Sequence, residues 1–150
     1  MKNIVLILLV ALTLGCGKND EVITRQGVDF EFINTTTLNN GTSSVKSYAL
    51  AEVRIWNAKG RELTYDGIAD RLNAYDSITA QMIAPDYLLN SVSKSATELP
   101  PGEYYLAFIT AGNQTPSNAY SYTKFTINAG EFFMVKKDIA LMNANGYTVW

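Results

Sequence analysis

The sequence predicts an all-β domain, a single antiparallel β-sandwich of about seven strands. Three observations carry this. Apolar residues beyond residue 27 recur mostly with period two, the repeat of a strand with one buried face. Clusters of glycine, proline and asparagine punctuate the chain at intervals of roughly a dozen residues, as sandwich turns do. An apolar fraction of 47% with 17% charged residues belongs to a folded protein and not to a disordered stalk.

Taken in order, Val28, Phe30 and Phe32 alternate with Asp29 and Glu31 and define the first strand. Residues 34–44 are rich in Thr, Asn, Gly and Ser and read as a loop. Ala49, Ala51, Val53 and Ile55 alternate with Glu52 and Arg54 in a second strand ending near Trp56. Asn57-Ala58-Lys59-Gly60 is a turn with Gly60 suited to positive φ, and residues 61–65 are expected to return as its hairpin partner. Ile68, Leu72 and Tyr75 recur at helical spacing, so residues 67–75 form a short helix or an irregular crossover. Residues 78–84 suit a strand, and residues 85–95 fit either a loop or a four-residue apolar repeat. Pro100-Pro101-Gly102 forces a tight turn, because proline fixes φ and glycine supplies conformations other residues resist. The strand over 104–110 is apolar on both faces, which marks it as central. Residues 113–118 are a loop, and strands over 120–127, 132–142 and 147–150 close the domain.

The first residues are a leader. Lys2 is its positive end, residues 4–10 are unbroken apolar, and Thr13-Leu14-Gly15 precede Cys16, the one cysteine of the chain. A membrane span needs ~20 apolar residues, about twice what this run offers, so it reads as a signal peptide. The segment resembles the lipobox of bacterial lipoproteins, with Thr13 where Leu is usual and Leu14 where a small residue is usual. The resemblance implies lipidation of Cys16, and two or more acyl chains make such an anchor durable. The alternative is an ordinary secretory leader cut near Gly15 or Gly17. Lys18-Asn19-Asp20-Glu21 resembles the export signal of Bacteroidota-type surface lipoproteins, which implies an outer-membrane, surface-exposed position, with a periplasm-facing one as the alternative. The expected organisation is a signal peptide over 1–15, a lipidated N-terminus and linker over 16–27, and a sandwich over 28–150. Loss of Lys2 with the leader takes the formal charge from -2 to -3, with no basic stripe and no argument for nucleic acid.

Leu99-Pro100-Pro101-Gly102-Glu103-Tyr104 resembles the turn of prealbumin-like (transthyretin-like, carboxypeptidase-regulatory-like) sandwich domains, in which the tyrosine packs behind the bend. Residues 53–63 resemble their strand–glycine–strand hairpin. The compact link those domains place between the two features is replaced here by a longer insertion, residues 66–97. These motifs are structural, so the resemblance implies a fold and not an activity.

Catalytic chemistry finds little support. With no histidine in the chain there is no Ser-His or Cys-His pair and no His-ligated zinc. Ser91-Val92-Ser93-Lys94 matches Ser-x-x-Lys, without the accompanying elements of penicillin-recognising enzymes. Asp66, Asp70 and Asp76 offer hard oxygens for calcium but lack the alternating spacing of a calcium loop, and no metal or cofactor is expected. Trp150 ends the chain as terminal aromatics of membrane barrels do, but the strands are too few and short for one. Tyr120 and Tyr122 share a face with Lys124 beside the loop containing Asn113, which makes them the best candidates for an exposed aromatic patch, against packing as the commoner use of strand tyrosines. Asp76-Ser77-Ile78 resembles the O-glycosylation acceptor of the same bacteria and implies a sugar on Ser77. The expectation is a membrane-anchored, non-catalytic binding module for a protein, envelope or glycan partner. The alternative is a structural or accessory subunit of a fimbria, resembling fimbrillin-type lipoproteins.

Overall fold

The computed structural model describes residues 25–39, 41–67, 70, 72–111, 118–141 and 147–149. The leader, Cys16, Lys18-Asn19-Asp20-Glu21, Asn113 and Trp150 lie outside them. The chain is all-β and sandwich-like, with twelve strands and one 3-10 turn, at Ile139–Leu141, among the described residues.

The strands run β1 (Gly27–Thr37), β2 (Ser44–Tyr48), β3 (Ala51–Asn57), β4 (Leu63–Thr64), β5 (Ala74–Asp76) and β6 (Gln81–Ile83). They continue as β7 (Tyr87–Val92), β8 (Lys94–Glu98), β9 (Gly102–Ala111), β10 (Asn118–Ile127), β11 (Phe132–Asp138) and β12 (Tyr147–Val149). Among the described residues these strands form three sheets. In the first, β1 pairs in parallel with β11 and antiparallel with both β8 and β2. The second has the order β12-β10-β9-β3-β7, and the third is the small meander β4-β5-β6. Pairing is mostly antiparallel, as expected, with parallel exceptions at β1–β11 and β10–β12.

Period two is satisfied where the first two sheets meet. Val28, Phe30 and Phe32 from β1 pack with Val53 and Ile55, Leu106 and Phe108, Phe125 and Val135 in one buried cluster. Phe32 is also the hinge of the sheet exchange. Its N–H donates to Ser93 O (2.7 Å), its carbonyl accepts from Ala49 N (3.0 Å), and the chain crosses between sheets at both points. Ser91, a non-glycine residue at φ 56°, and a register shift between Ala51 and Val53 mark the bend beside it.

The Pro-Pro-Gly turn behaves as its motif implies. Tyr104 is buried, and its hydroxyl donates to Pro100 O at 2.9 Å, so the ring closes the core while the polar tip is satisfied. β9 is central, with β10 on one side and β3 on the other.

Three expectations are corrected. Residues 61–65 do not return beside β3, because both edges of β3 are already occupied by β7 and β9. The turn itself forms, with Gly60 at φ 70°, but it redirects the chain out of the sheet to β4. No helix forms among the described residues of the 66–97 insertion, which instead supplies β5, β6, β7 and β8. Leu72 and Tyr75, two of the residues at helical spacing, are exposed, so these two mark no buried face. Finally, residues 34–37 extend β1 and Ser44 opens β2, so both ends of the expected loop are hairpin arms.

Candidate functional site

The far side of the second sheet is buried too. Trp56 from β3 and Ala107 and Ile109 from β9 pack against Leu63, Tyr65 and Ala74 from the β4–β6 region. The meander is thus a third layer laid over the sandwich. Trp56 fixes it: the indole is buried and its Nε1–H donates to Ile83 O at 3.0 Å. A buried aromatic with a satisfied N–H contributes area and direction together.

Asp76 holds the layer's shape. Its carboxylate accepts from Glu62 N (3.1 Å), Ile78 N (3.2 Å) and the Thr79 hydroxyl (2.8 Å), tying β5 to the turn before β6 and to the segment before β4. Burial pushes the Asp76 carboxyl up, but these hydrogen bonds outweigh it and hold the group below the ordinary aspartate value. Asp70 does the same job locally. Its carboxyl is lowered first by the Asn73 N–H, then by the Leu72 N–H and the Asn73 side chain. Each carboxylate is thus engaged in its own turn, and no group of three acidic or sulfur ligands that would hold a metal occurs among the described residues.

The expected aromatic patch takes a different form. Tyr120 and Tyr122 do share the outer face, but both are half-buried against the second core. Tyr65 meets Tyr120 edge-on, with ring centroids 5.5 Å apart. Gly67 lies so close that an added Cβ would sit 3.0 Å from the Tyr120 ring. These tyrosines carry the third layer. Arg54, on the same face, is 5% exposed, with Nη2 3.1 Å from Glu52 Oε2 while Nε and Nη1 have no acceptor.

Where the meander ends, the outer face of the second sheet opens into a groove of about 590 Å³. One wall is Arg61 to Thr64 with Ser77 and Ile78; the other is Glu103, Tyr105 and Lys124. Lys124 and Glu103 are paired at 2.7 Å, and the Lys124 ammonium lies 5.8 Å from the Tyr105 ring centroid. The Glu103 hydrogen bond raises the Lys124 pKa above the usual lysine value despite some desolvation. Arg61 pairs with Asp86 at 3.1 Å. Ser77, the expected glycosylation residue, stands exposed on the rim, its hydroxyl donating to Glu62 O (3.3 Å) and Glu62 Oε2 (3.1 Å). Of the groove residues, the sequence singled out Ser77 and placed Lys124 on the face of Tyr120 and Tyr122. Arg61, Glu62 and Glu103 carried no signal, since the chain brings them together from separate elements.

Comparison with protein-family models, curated proteins and solved structures gives no match.

Proposed function

We propose that this chain is a lipid-anchored lipoprotein of the outer membrane, displayed at the cell surface, and that it acts by binding and not by catalysis. The groove beside Tyr105 carries the binding half of this reading. A third β layer laid on a complete sandwich adds nothing the inner core needs, yet it creates a concave, mixed-polarity surface on a rigid sheet. Such surfaces are where recognition is commonly placed. The leader ending at Cys16 carries the other half, since a lone cysteine at that boundary has an obvious use as an acylation site.

The accessory-subunit alternative calls for an incomplete sandwich that accepts a strand from a partner. Full burial of Phe32, Val53, Ile55, Leu106 and Phe108 favours binding over that mode.

Two experiments test the reading. Cys16→Ser is expected to move the protein from the membrane to the soluble fraction, with loss of palmitate labelling; unchanged fractionation contradicts the anchor. Adding purified envelope polysaccharide, and separately envelope protein, to the isotope-labelled domain is expected to shift NMR signals of groove residues. Shifts confined to other surfaces, or none with either fraction, contradict the site.

A further inference from the structure

We infer that the groove takes a neutral, polyhydroxylated ligand, namely a segment of an uncharged oligosaccharide. This rests on the groove being the binding site and adds the chemical class of its occupant. The bordering charges select that class first. Among the lining residues the two cations, Lys124 and Arg61, are matched by two carboxylates, Glu103 and Glu62, so the groove itself has no excess of one sign to draw an ion in. Lys124 and Glu103 have 47% and 56% of their side chains exposed, and such pairs contribute little to stability. Their donors and acceptors are therefore free to turn to a ligand at small cost. A sugar hydroxyl donates and accepts at once, and the groove offers both kinds of partner: Lys124 and Arg61 as donors, Glu62 and Glu103 as acceptors.

The Tyr105 wall points the same way. Tyr105 is half-buried and belongs to the second core, so its ring is held in place while one part stays open to the groove. A fixed phenol ring gives the apolar C–H groups of a pyranose a surface to pack on once the Lys124 ammonium, which lies over the ring, turns aside to the ligand, and its hydroxyl adds a polar contact. The wall argues against an extended peptide. β4 is the edge of its sheet but only two residues long, so strand addition there gains few main-chain hydrogen bonds.

The test uses the full chain and four probes: neutral hexasaccharides of glucose and of N-acetylglucosamine, an oligogalacturonate of equal length, and an extended peptide of balanced charge. Calorimetric titration is expected to detect a neutral oligosaccharide whose affinity changes less than about twofold between low and high salt, because no net charge is screened. Tyr105→Leu, which keeps apolar bulk and removes the flat ring, is expected to weaken that binding at least tenfold, whereas Tyr105→Phe is expected to preserve most of it. Thermal melts confirm that both variants fold. If only the oligogalacturonate or the peptide binds, and binding depends on Tyr105, the neutral class is overturned while the groove stands as the site. If a neutral oligosaccharide binds Tyr105→Leu as tightly as wild type, the groove itself is overturned. Binding of none of the probes overturns the inference.

Discussion

β9 has two buried faces, and they are buried in different ways. Leu106 and Phe108 point into the sandwich, where they meet long strands from both sheets. Ala107 and Ile109 point outward, where the cover is strands of two and three residues. The inner face is large and apolar and depends on area. The outer face mixes tyrosines, a tryptophan and a buried arginine, and depends on placed hydrogen bonds such as Trp56 to Ile83 and Asp76 to three donors. One strand thus serves a core that holds the fold and a layer that shapes a surface.

Truncating the inner face is expected to have the largest effect. Phe108→Ala should cost about 3 to 5 kcal/mol, the range for a fully buried aromatic, and should lower the midpoint of denaturant unfolding as one cooperative transition. The outer face should respond locally. Ala107→Leu adds bulk where Ala107 is fully buried under the third layer, and overpacking of this kind costs about 1 to 3 kcal/mol. Hydrogen exchange should then quicken in β4–β6 while β9 stays protected. Equal quickening in both would erase the distinction between the two faces.

That distinction explains what was legible in the sequence. Val28, Phe30 and Phe32, and Val53 and Ile55, announce the inner core because strands of seven or more residues display their period. The apolar character of β9 on both faces was legible as well, but nothing said what covered the second face. The cover comes from Leu63, Tyr65, Ala74 and Ile83, in a stretch whose strands are too short to show any period and whose sequence, with Ile68, Leu72 and Tyr75, mimics a helical repeat. The groove was less legible still. Glu62 reaches it from the segment before β4, Tyr105 from the middle of the chain and Lys124 from β10, and only the register Lys124↔Tyr105 makes the last two neighbours.

A smaller effect isolates the turn into the third layer. Gly60 sits at φ 70° with nothing within 4 Å of an added Cβ, so Gly60→Ala probes backbone strain alone. About 1 kcal/mol is expected in a thermal melt, the cost of forcing an L side chain into the left-handed region. No change would mean that the turn has another conformation.

The smallest signal is electrostatic. Asp76 has a lowered folded-state pKa, so its contribution is fully present above the ordinary aspartate value of about 3.9 and is lost as pH falls through the lower folded value. A stability profile from neutral to acid pH should therefore bend down in that window, and Asp76→Asn should flatten part of the bend. A bend unchanged in Asp76→Asn would remove this group from the account.

Most direct is a measurement on Trp56, because the third layer must cover it for the groove to have a wall. In a Trp150→Phe background, fluorescence comes from Trp56 alone. Blue-shifted emission, weak quenching by acrylamide and slow exchange of the indole Nε1–H are expected, with all three relaxing in Gly67→Leu, where a bulky side chain meets the Tyr120 ring. Red-shifted, readily quenched emission from the otherwise wild-type domain would contradict a covered outer face.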